Sequence, residues 1–212
     1  MAGLDWNHNS FYHRFLVRQL PKPCARVLDV GCGAGAFAVE LARHADQVDA
    51  LDRSPVMIDA AKQATPGNVT CLLGDVLEHP LPANAYDAIV SISTLHHMPL
   101  DEALPVLAAA LRPGGVLAVI ALPRADLPRE LPVELLAAVG QRVFAVGFAA
   151  LRTLGRGDWY AKGPNHGDMP VVLDPPLTTR QVREHAAALL PGARVRRLVY
   201  WRYALVWHKP DN

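Results

Sequence analysis

Cysteine and excess charge are both scarce in this sequence of 212 residues. Its three cysteines, Cys24, Cys32 and Cys71, form no C-x-x-C pair, which disfavours a disulfide scaffold and is typical of a reducing compartment. The 21 lysines and arginines nearly balance the 20 acidic residues, which leaves a net charge of +1. Because affinity for nucleic acid depends on neutralising many phosphates, we expect no nucleic-acid partner.

Long apolar runs are also lacking. The longest apolar stretch, Leu135–Leu151, is interrupted by Gln141 and Arg142 and is shorter than the ~20 residues that a spanning helix needs. The first residues of the sequence contain neither the apolar segment nor the small-residue cleavage site of a secretory signal. We therefore expect a cytoplasmic protein with no membrane partner.

The sequence does contain enough apolar material for a core, since 51% of its residues are hydrophobic and 19% are charged. Its length predicts a single domain over residues 1–212. Short β-branched runs alternate with helical patterns, which is typical of βαβ units and a parallel sheet. The runs that predict parallel strands are Arg26–Val30, Val48–Leu51, Val69–Leu73, Tyr86–Ser91 and Gly115–Ala121.

Helical patterns fill the spaces between these strands and much of the region after them. They cover residues 36–44, the residues after Ser54, and residues 100–111, 130–154 and 178–190. The last stretch, residues 193–209, alternates as two strands, so the terminal pair is expected to be an antiparallel hairpin in a mixed α/β sheet. Four arginines of this hairpin are expected to lie on a solvated strand face: Arg194, Arg196, Arg197 and Arg202.

A glycine-rich loop, Asp29–Gly35, connects the first strand to the first helix of this pattern. Glycines there permit a tight turn and the approach of a ligand, and the helix that follows presents amide hydrogens to it. Asp52 stands at the end of the second strand, where an acid accepts hydrogen bonds from ribose hydroxyls. The same glycines also satisfy a dinucleotide fingerprint, G-x-G-x-x-G/A, and a turn with no ligand is the plainer alternative.

Further features separate these alternatives. Asp29 lies two residues before Gly31, where a carboxylate would repel a pyrophosphate and could hold a cationic amino-acid group. The segment Gly74-Asp75-Val76 ends the third strand and offers a carboxylate to the exocyclic amine of adenine. The segments YDAIV and LRPGG bracket a helix between the fourth and fifth strands.

With these motifs the chain resembles a class I S-adenosylmethionine-dependent methyltransferase of the type 11 small-molecule group. The motifs are VLDVGCGAG, VDALDRS, LLGD, YDAIVSISTLHHM and LRPGGVLAV, which cover most of residues 26–121. The resemblance implies a Rossmann-like, doubly wound sheet of seven strands with a reversed terminal hairpin, and S-adenosyl-L-methionine as the cofactor. It divides the chain into an N-terminal lid segment (1–24), a cofactor-binding core (25–122), a substrate-side region (123–176) and a final helix and hairpin (177–212).

The resemblance also implies the residues that bind the cofactor. The glycine loop would wrap the methionine part, Asp52 would hold the ribose, and Asp75 with Val76 would border the adenine. The lid segment either contacts the cofactor through Tyr12 or caps the sheet as a surface helix. The full set of cofactor-binding candidates is Tyr12, Asp29, Gly31, Cys32, Gly33, Gly35, Asp52, Arg53, Met57, Gly74, Asp75, Val76 and Ser93.

The expected reaction is in-line methyl transfer to an oxygen, nitrogen or carbon of a small-molecule acceptor. His96 or His97, after the fourth strand, is the candidate general base, and a pocket-shaping role is the alternative. Adjacent histidines lack the one-turn spacing of a helical metal pair, so no metal site is expected. Trp159, Tyr160 and His166 either flank the acceptor or anchor a loop.

Two other functions compete with this one. A nicotinamide-dependent oxidoreductase would need a hydride-transfer residue such as a Tyr-x-x-x-Lys pair, and no tyrosine in the sequence has a lysine four residues later. A non-catalytic module that binds S-adenosylmethionine for a partner enzyme fits the same motifs. The sequence is compatible with a monomer or a homodimer.

Overall fold

A seven-stranded sheet forms the centre of the structure, a computed structural model that describes residues 8–127, 129–154 and 174–211. Its strand order is β3-β2-β1-β4-β5-β7-β6, and β7 runs antiparallel to both of its neighbours. The strands are β1 (Arg26–Val30), β2 (Gln47–Asp52), β3 (Val69–Leu73), β4 (Tyr86–Ile92), β5 (Leu111–Ala121), β6 (Arg194–Leu198) and β7 (Arg202–His208). The predicted mixed sheet with a terminal antiparallel hairpin is confirmed.

Seven α-helices accompany the sheet in the part of the chain that is described. They are α1 (His8–Phe11), α2 (His13–Val17), α3 (Ala36–Leu41), α4 (Pro55–Ala64), α5 (Leu100–Ala110), α6 (Leu131–Thr153) and α7 (Thr179–Leu189), with a 3-10 turn at Leu95–His97. Helix α7 starts with a capping box, for which the sequence carries the signal of a threonine followed three residues later by a glutamine. Thr178 and Gln181 each accept the other's backbone N–H. Ser54 caps α4 by accepting the N–H of Met57.

Both faces of the sheet are covered, because successive residues of each strand point to opposite sides. Leu28 and Ile89 lie in one apolar core together with side chains of α5 and α7. Val27 and Ala88 lie in the other core, which includes residues of α2, α3 and α6. The near-continuous apolar strands therefore have the two-sided burial that parallel sheets require.

The YD motif at the start of β4 has a structural role. The Tyr86 hydroxyl donates to Asp49 Oδ2 at 2.7 Å, and Arg26 Nη2 lies 2.7 Å from the same oxygen. Asp87 Oδ2 accepts the backbone N–H groups of Ala25 and Arg26, each at 2.8 Å. This motif therefore joins β4 to the start of β1 and to β2, at the end of the sheet opposite the glycine loop.

The predicted element bounds differ from the structure by more than two residues in two places. The helix expected over 36–44 ends at Leu41 and continues as turns. Strand β5 begins at Leu111 instead of Gly115, because Leu111 already pairs with Tyr86 before a bulge in the β4–β5 ladder. Neither difference changes the order of the elements.

The expectation that every apolar stretch is shorter than the ~20 residues of a membrane-spanning helix was wrong. Helix α6 contains a 21-residue apolar window, Leu131–Leu151, with a mean hydropathy of 1.5. By length and composition alone this window could cross a membrane. Its inner face packs on the sheet through Ala137, Ala145 and Phe148, while only 18% of the window is buried.

Replacing Tyr86 by phenylalanine tests the structural role of the YD motif. We expect Tyr86→Phe to lower the free energy of unfolding by about 1.5–3 kcal/mol, because a buried hydrogen bond to a charged group is lost. Urea unfolding of both proteins measures this difference. The affinity for S-adenosylhomocysteine should stay unchanged, and a stability loss below about 0.5 kcal/mol would contradict the assignment.

Candidate functional site

The residues predicted to bind a ligand gather where β1, β2, β3 and β4 end. These four strands are parallel, so their carboxyl ends lie along one edge of the sheet. The chain order changes direction between β1 and β4, and ligands of open α/β sheets bind at such a switch point. The edge carries the glycine loop after β1, Asp52 and Arg53 after β2, Gly74–Val76 after β3, and Ser93–His97 after β4.

The glycine loop depends on glycine at two positions for steric reasons. Gly31 has φ +74°, and a Cβ atom there would lie 2.0 Å from Thr94 Oγ1. Gly35 has φ +81°, and its Cβ would lie 2.9 Å from Thr65 Cγ2. Both positions combine a left-handed backbone with a close neighbour, so any larger residue would displace the loop.

Asp52 connects this loop to helix α4. One carboxylate oxygen of Asp52 accepts the N–H of Gly33, and the other accepts the N–H of Ser54, both at 2.9 Å. Gly31 and Cys32 also donate their N–H groups to the Leu51 carbonyl, at 2.8 and 3.0 Å. Because each carboxylate oxygen can accept a second hydrogen bond, Asp52 still has capacity for two ligand hydroxyls.

Asp29, at the base of the loop, is the least satisfied acid of the site. Its side chain is 2% exposed, and its Oδ2 atom has no hydrogen-bond partner within the described residues. Burial, and secondly the Asp52 carboxylate, raise the pKa of Asp29 to about 7. A buried carboxyl with an unsatisfied oxygen suits a cationic ligand group, since a nearby positive charge would offset its desolvation.

The ends of β2 and β3 form the next part of the edge. The Gly74 N–H donates to the Asp52 carbonyl at 3.0 Å, and Asp75 Oδ1 accepts the N–H of Leu77 at 3.0 Å. Val76 and Met57 are both buried, whereas Arg53 is exposed. The Cys32 thiol is buried beside Asp29 and Asp52, and burial raises its pKa. These residues thus line one continuous edge, and their individual ligand contacts stay predictions.

The sequence model of a family described as a methyltransferase domain matches residues 27–115. An uncharacterized methyltransferase of Mycobacterium tuberculosis strain H37Rv is 33% identical over 207 residues, which is 97% of this chain and 98% of that protein. The chain belongs to the class I S-adenosylmethionine-dependent methyltransferases. Its cofactor is S-adenosylmethionine. The unsatisfied Asp29 oxygen beside the glycines of the loop fits a ligand with a cationic amino-acid part.

Two further proteins resemble this methyltransferase. The N-methyltransferase NodS of Bradyrhizobium japonicum WM9, solved with S-adenosyl-L-homocysteine, superposes with a TM-score of 0.61 at 19% identity over 98% of this chain and 90% of that chain. This similarity confirms the fold. The ubiquinone biosynthesis O-methyltransferase of Xylella fastidiosa is 34% identical over 135 residues, covering 59% of this chain and 51% of that protein.

His96 and His97 lie side by side in the 3-10 turn after β4, and their ring centroids are 4.2 Å apart. His96 is 8% exposed, and its Nδ1 atom has no partner among the residues described. Burial, and then the nearby His97 and Arg202, lower the pKa of His96 to about 3. His97 is half-buried, and burial followed by Arg53 lowers its pKa as well. Both rings are therefore neutral at neutral pH, and the more exposed His97 is the stronger base.

Sequence reasoning missed a polar cluster beside these histidines. Ser93, at φ +54°, donates its hydroxyl to Asn9 Oδ1 at 2.7 Å, and Arg202 Nη2 donates to the same oxygen at 3.1 Å. The three residues lie on α1, after β4 and at the start of β7, so no local pattern connects them. The predicted cofactor residue Ser93 thus contacts the N-terminal helix.

The expectation that the hairpin arginines lie on a solvated face was wrong for two of them. Arg202 is mostly buried, which lowers its pKa to about 10, and it packs among Asn9 and the turn carbonyls of residues 200 and 201. Arg197 pairs with Glu130 at 3.1 Å, where both side chains are largely buried. The reason is that the N-terminal helix and the segment before α6 cover this part of the hairpin.

The lid segment is anchored on the same hairpin. The Tyr12 hydroxyl donates to the Val199 carbonyl at 2.5 Å, and the ring is 5% exposed within the core. His8 stacks on Tyr200 with centroids 5.5 Å apart and hydrogen-bonds Gln141 of α6. The predicted contact between Tyr12 and the cofactor stays a prediction. Trp159, Tyr160 and His166 lie outside the described residues.

Replacing Asp29 by asparagine tests its buried carboxyl in the ligand-free protein. The pKa of Asp29 in the folded state, about 7, lies above the ordinary 3.8, so the folded state binds the proton more tightly than the unfolded state does. The protonated carboxyl therefore contributes to stability at low pH, and this contribution is lost as the pH rises from about 4 to 7. We expect Asp29→Asn to be more stable than wild type at pH 8 by at least about 1 kcal/mol, or roughly 2–4 °C in Tm. At pH 5 this gain should shrink.

The control for this measurement is Asp59→Asn, which changes an exposed aspartate of α4. Its Tm relative to wild type should be the same at both pH values, because the Asp59 side chain is exposed to solvent. A stability difference between Asp29→Asn and wild type that does not grow from pH 5 to pH 8 would contradict the assignment of a raised pKa.

Proposed function

We propose that this methyltransferase transfers the methyl group of S-adenosylmethionine to a small-molecule acceptor by in-line displacement. The observation that carries the proposal is the buried, unsatisfied Asp29 carboxyl beneath a glycine loop that Asp52 ties to α4. The similar proteins include an N-methyltransferase and an O-methyltransferase. The acceptor atom of this chain is an oxygen, nitrogen or carbon nucleophile within the proposal.

The methionine end of the cofactor would be held by charge, and its ribose would be held by hydrogen bonds from its hydroxyls. Asp29 would accept the ammonium of the methionine part beside Gly31, Cys32, Gly33 and Gly35. Asp52 would accept the ribose hydroxyls while keeping its bonds to Gly33 and Ser54. The adenosine end would be bordered by Arg53, Met57, Gly74, Asp75 and Val76, and Ser93 and Tyr12 would close the lid side.

S-adenosylmethionine, when bound, supplies an electrophilic methyl group on a positively charged sulfur. The chain's own contribution is mainly to align the acceptor with that group, and such positioning can contribute about 7–11 kcal/mol. Where the acceptor carries a proton, the neutral His97 ring can accept it, with His96 as a buried neighbour that shapes the pocket. His96 is a weak base because its pKa is about 3.

The two competing functions are weaker on specific grounds. A dinucleotide would bring its pyrophosphate to the loop beside the two carboxyls of Asp29 and Asp52, where like charges repel. A non-catalytic module would not need histidines beside the cofactor edge. We further propose one cytoplasmic methyltransferase domain over the whole chain, with no nucleic-acid partner.

Removing Asp52 tests the binding site. At a hundredfold excess over its dissociation constant, S-adenosylhomocysteine should stabilise wild type by about 2.7 kcal/mol in thermal unfolding. We expect Asp52→Ala to abolish this stabilisation, since both the ribose acceptor and the Gly33 anchor are lost. The matched control is Asp59→Ala in α4, which should retain it.

The same experiment with NADH as the ligand separates the oxidoreductase hypothesis. Stabilisation by NADH and none by S-adenosylhomocysteine would contradict the proposed function, as would an unchanged S-adenosylhomocysteine shift in Asp52→Ala. Circular dichroism of the variant confirms that it is folded.

The histidines are tested by methyl transfer to an acceptor found by screening small phenols, amines and acids for S-adenosylhomocysteine release. We expect His97→Gln to lower kcat by roughly 100-fold for a protonated acceptor, because the proton acceptor is lost. The thermal shift with S-adenosylhomocysteine should persist. Equal kcat values for wild type and His97→Gln would show that no base is needed there.

A further inference from the structure

The outer face of α6 is mostly apolar, with the exposed Arg142 among its aliphatic side chains. Six aliphatic side chains of this face are 47–67% exposed: Leu131, Leu135, Leu136, Val139, Val143 and Val146. Together they present on the order of 600 Å² of apolar surface, at the upper limit of the largest patch on a typical monomer. Such a surface marks an interaction site.

The orientation of this face is fixed by contacts on the other side of the helix. Ala137, Ala145 and Phe148 are buried in the core that covers one side of the sheet. Gly140 packs closely against Tyr200, since an added Cβ would lie only 3.3 Å from the Tyr200 hydroxyl. Helix α6 is thus docked on its own sheet through one stripe while it presents a second stripe outward.

The outward stripe has the spacing of a helix-pairing seam. Leu136, Val139, Val143, Val146 and Ala150 are all exposed and follow one another at alternating steps of three and four residues. This alternation of three and four residues is the spacing of the a and d positions in a coiled coil, where side chains of two helices interlock. Over two heptads it keeps these five residues on the side of the helix that would face a partner. Gly147, next to Val146, has open space where a Cβ would be, so a partner helix could approach closely there.

We propose that α6 pairs with α6 of a second copy of this chain in an antiparallel, two-fold symmetric dimer. In that arrangement Leu136 packs against Val146 of the partner subunit, and Val139 packs against Val143 of the partner subunit. The same stripe serves both copies, as an isologous interface requires. Two copies of the apolar patch formed by the six aliphatic side chains above would bury up to about 1,200 Å² in total, against the ~1,000 Å² expected of a specific interface.

Charge favours a second copy over a lipid surface as the partner. Helices that lie on membranes carry many lysines and arginines on their polar flank. Between Leu135 and Leu151 the only charged residue is Arg142, and the whole chain has a net charge of +1. Attraction to anionic headgroups would therefore be weak, whereas an apolar seam of matching spacing needs no charge.

Sedimentation velocity of the full chain between about 1 and 100 μM, the range of a micromolar Kd, tests the dimer. At the upper concentrations, the molar mass derived for the wild type should be about twice the 23.0 kDa of the single chain. The double variant Val139→Glu/Val143→Glu should stay monomeric throughout, with self-association weakened at least about 100-fold, because two pairs of carboxylates would face each other in an apolar interface.

The control is Val56→Glu, which changes a valine of α4 with 65% exposure, close to the 63% and 64% of Val139 and Val143. It should leave the dimer intact. A wild type that is monomeric over the whole range overturns the proposal, as does a dimer that persists in the double variant. A monomer that cosediments with phosphatidylcholine and phosphatidylglycerol vesicles would assign the stripe to lipid instead.

Discussion

The site depends on one carboxylate that holds two backbone segments together. Asp52 accepts the N–H of Gly33 on the glycine loop and the N–H of Ser54 at the cap of α4. Because Asp52 ends β2, the loop after β1 and the helix after β2 share a single anchor. The position that we propose to recognise the ribose is therefore also the position that shapes the loop. In that proposal, binding and loop conformation are coupled through this one side chain.

Two buried aspartates on neighbouring strands show where stability has been given up for function. Asp49 is 5% exposed, and its Oδ2 atom accepts hydrogen bonds from Arg26 and Tyr86. Asp29 is 2% exposed, yet one of its oxygens has no partner in the described part of the chain. The same residue type is thus satisfied at one end of the sheet and left open at the end where the cofactor is expected. An unsatisfied buried carboxyl is costly, and such a cost persists where a ligand relieves it.

The features that could be predicted from the sequence are those set by local patterns. Strands β1 and β3 have the predicted bounds, and the capping box of α7 and the terminal hairpin lie where the residues indicated. The cofactor edge could be located because parallel strands must end together, so motifs after each strand converge. The resemblance of five ordered motifs to one family then indicated the cofactor.

Other features could not be predicted, since they depend on contacts between distant segments. Asn9, Ser93 and Arg202 share one hydrogen-bonded cluster although the first and last are 193 residues apart. The orientation of α6 was equally hidden, because both of its faces are apolar and periodicity alone does not distinguish an inner stripe from an outer one. Arg197 and Arg202 of the hairpin are covered for the same reason, since the segment before α6 and the N-terminal helix lie over them.

The contact between Gly31 and Thr94 affects how loss-of-function data for this enzyme should be interpreted. A side chain at position 31 would collide with a threonine from a different loop before it could touch any ligand. A mutational survey scored on turnover alone would record Gly31 as a cofactor contact, although its defect would be steric. The loops after β1 and β4 are therefore sterically coupled, because the size of the side chain at position 94 limits the size of the residue that position 31 can hold.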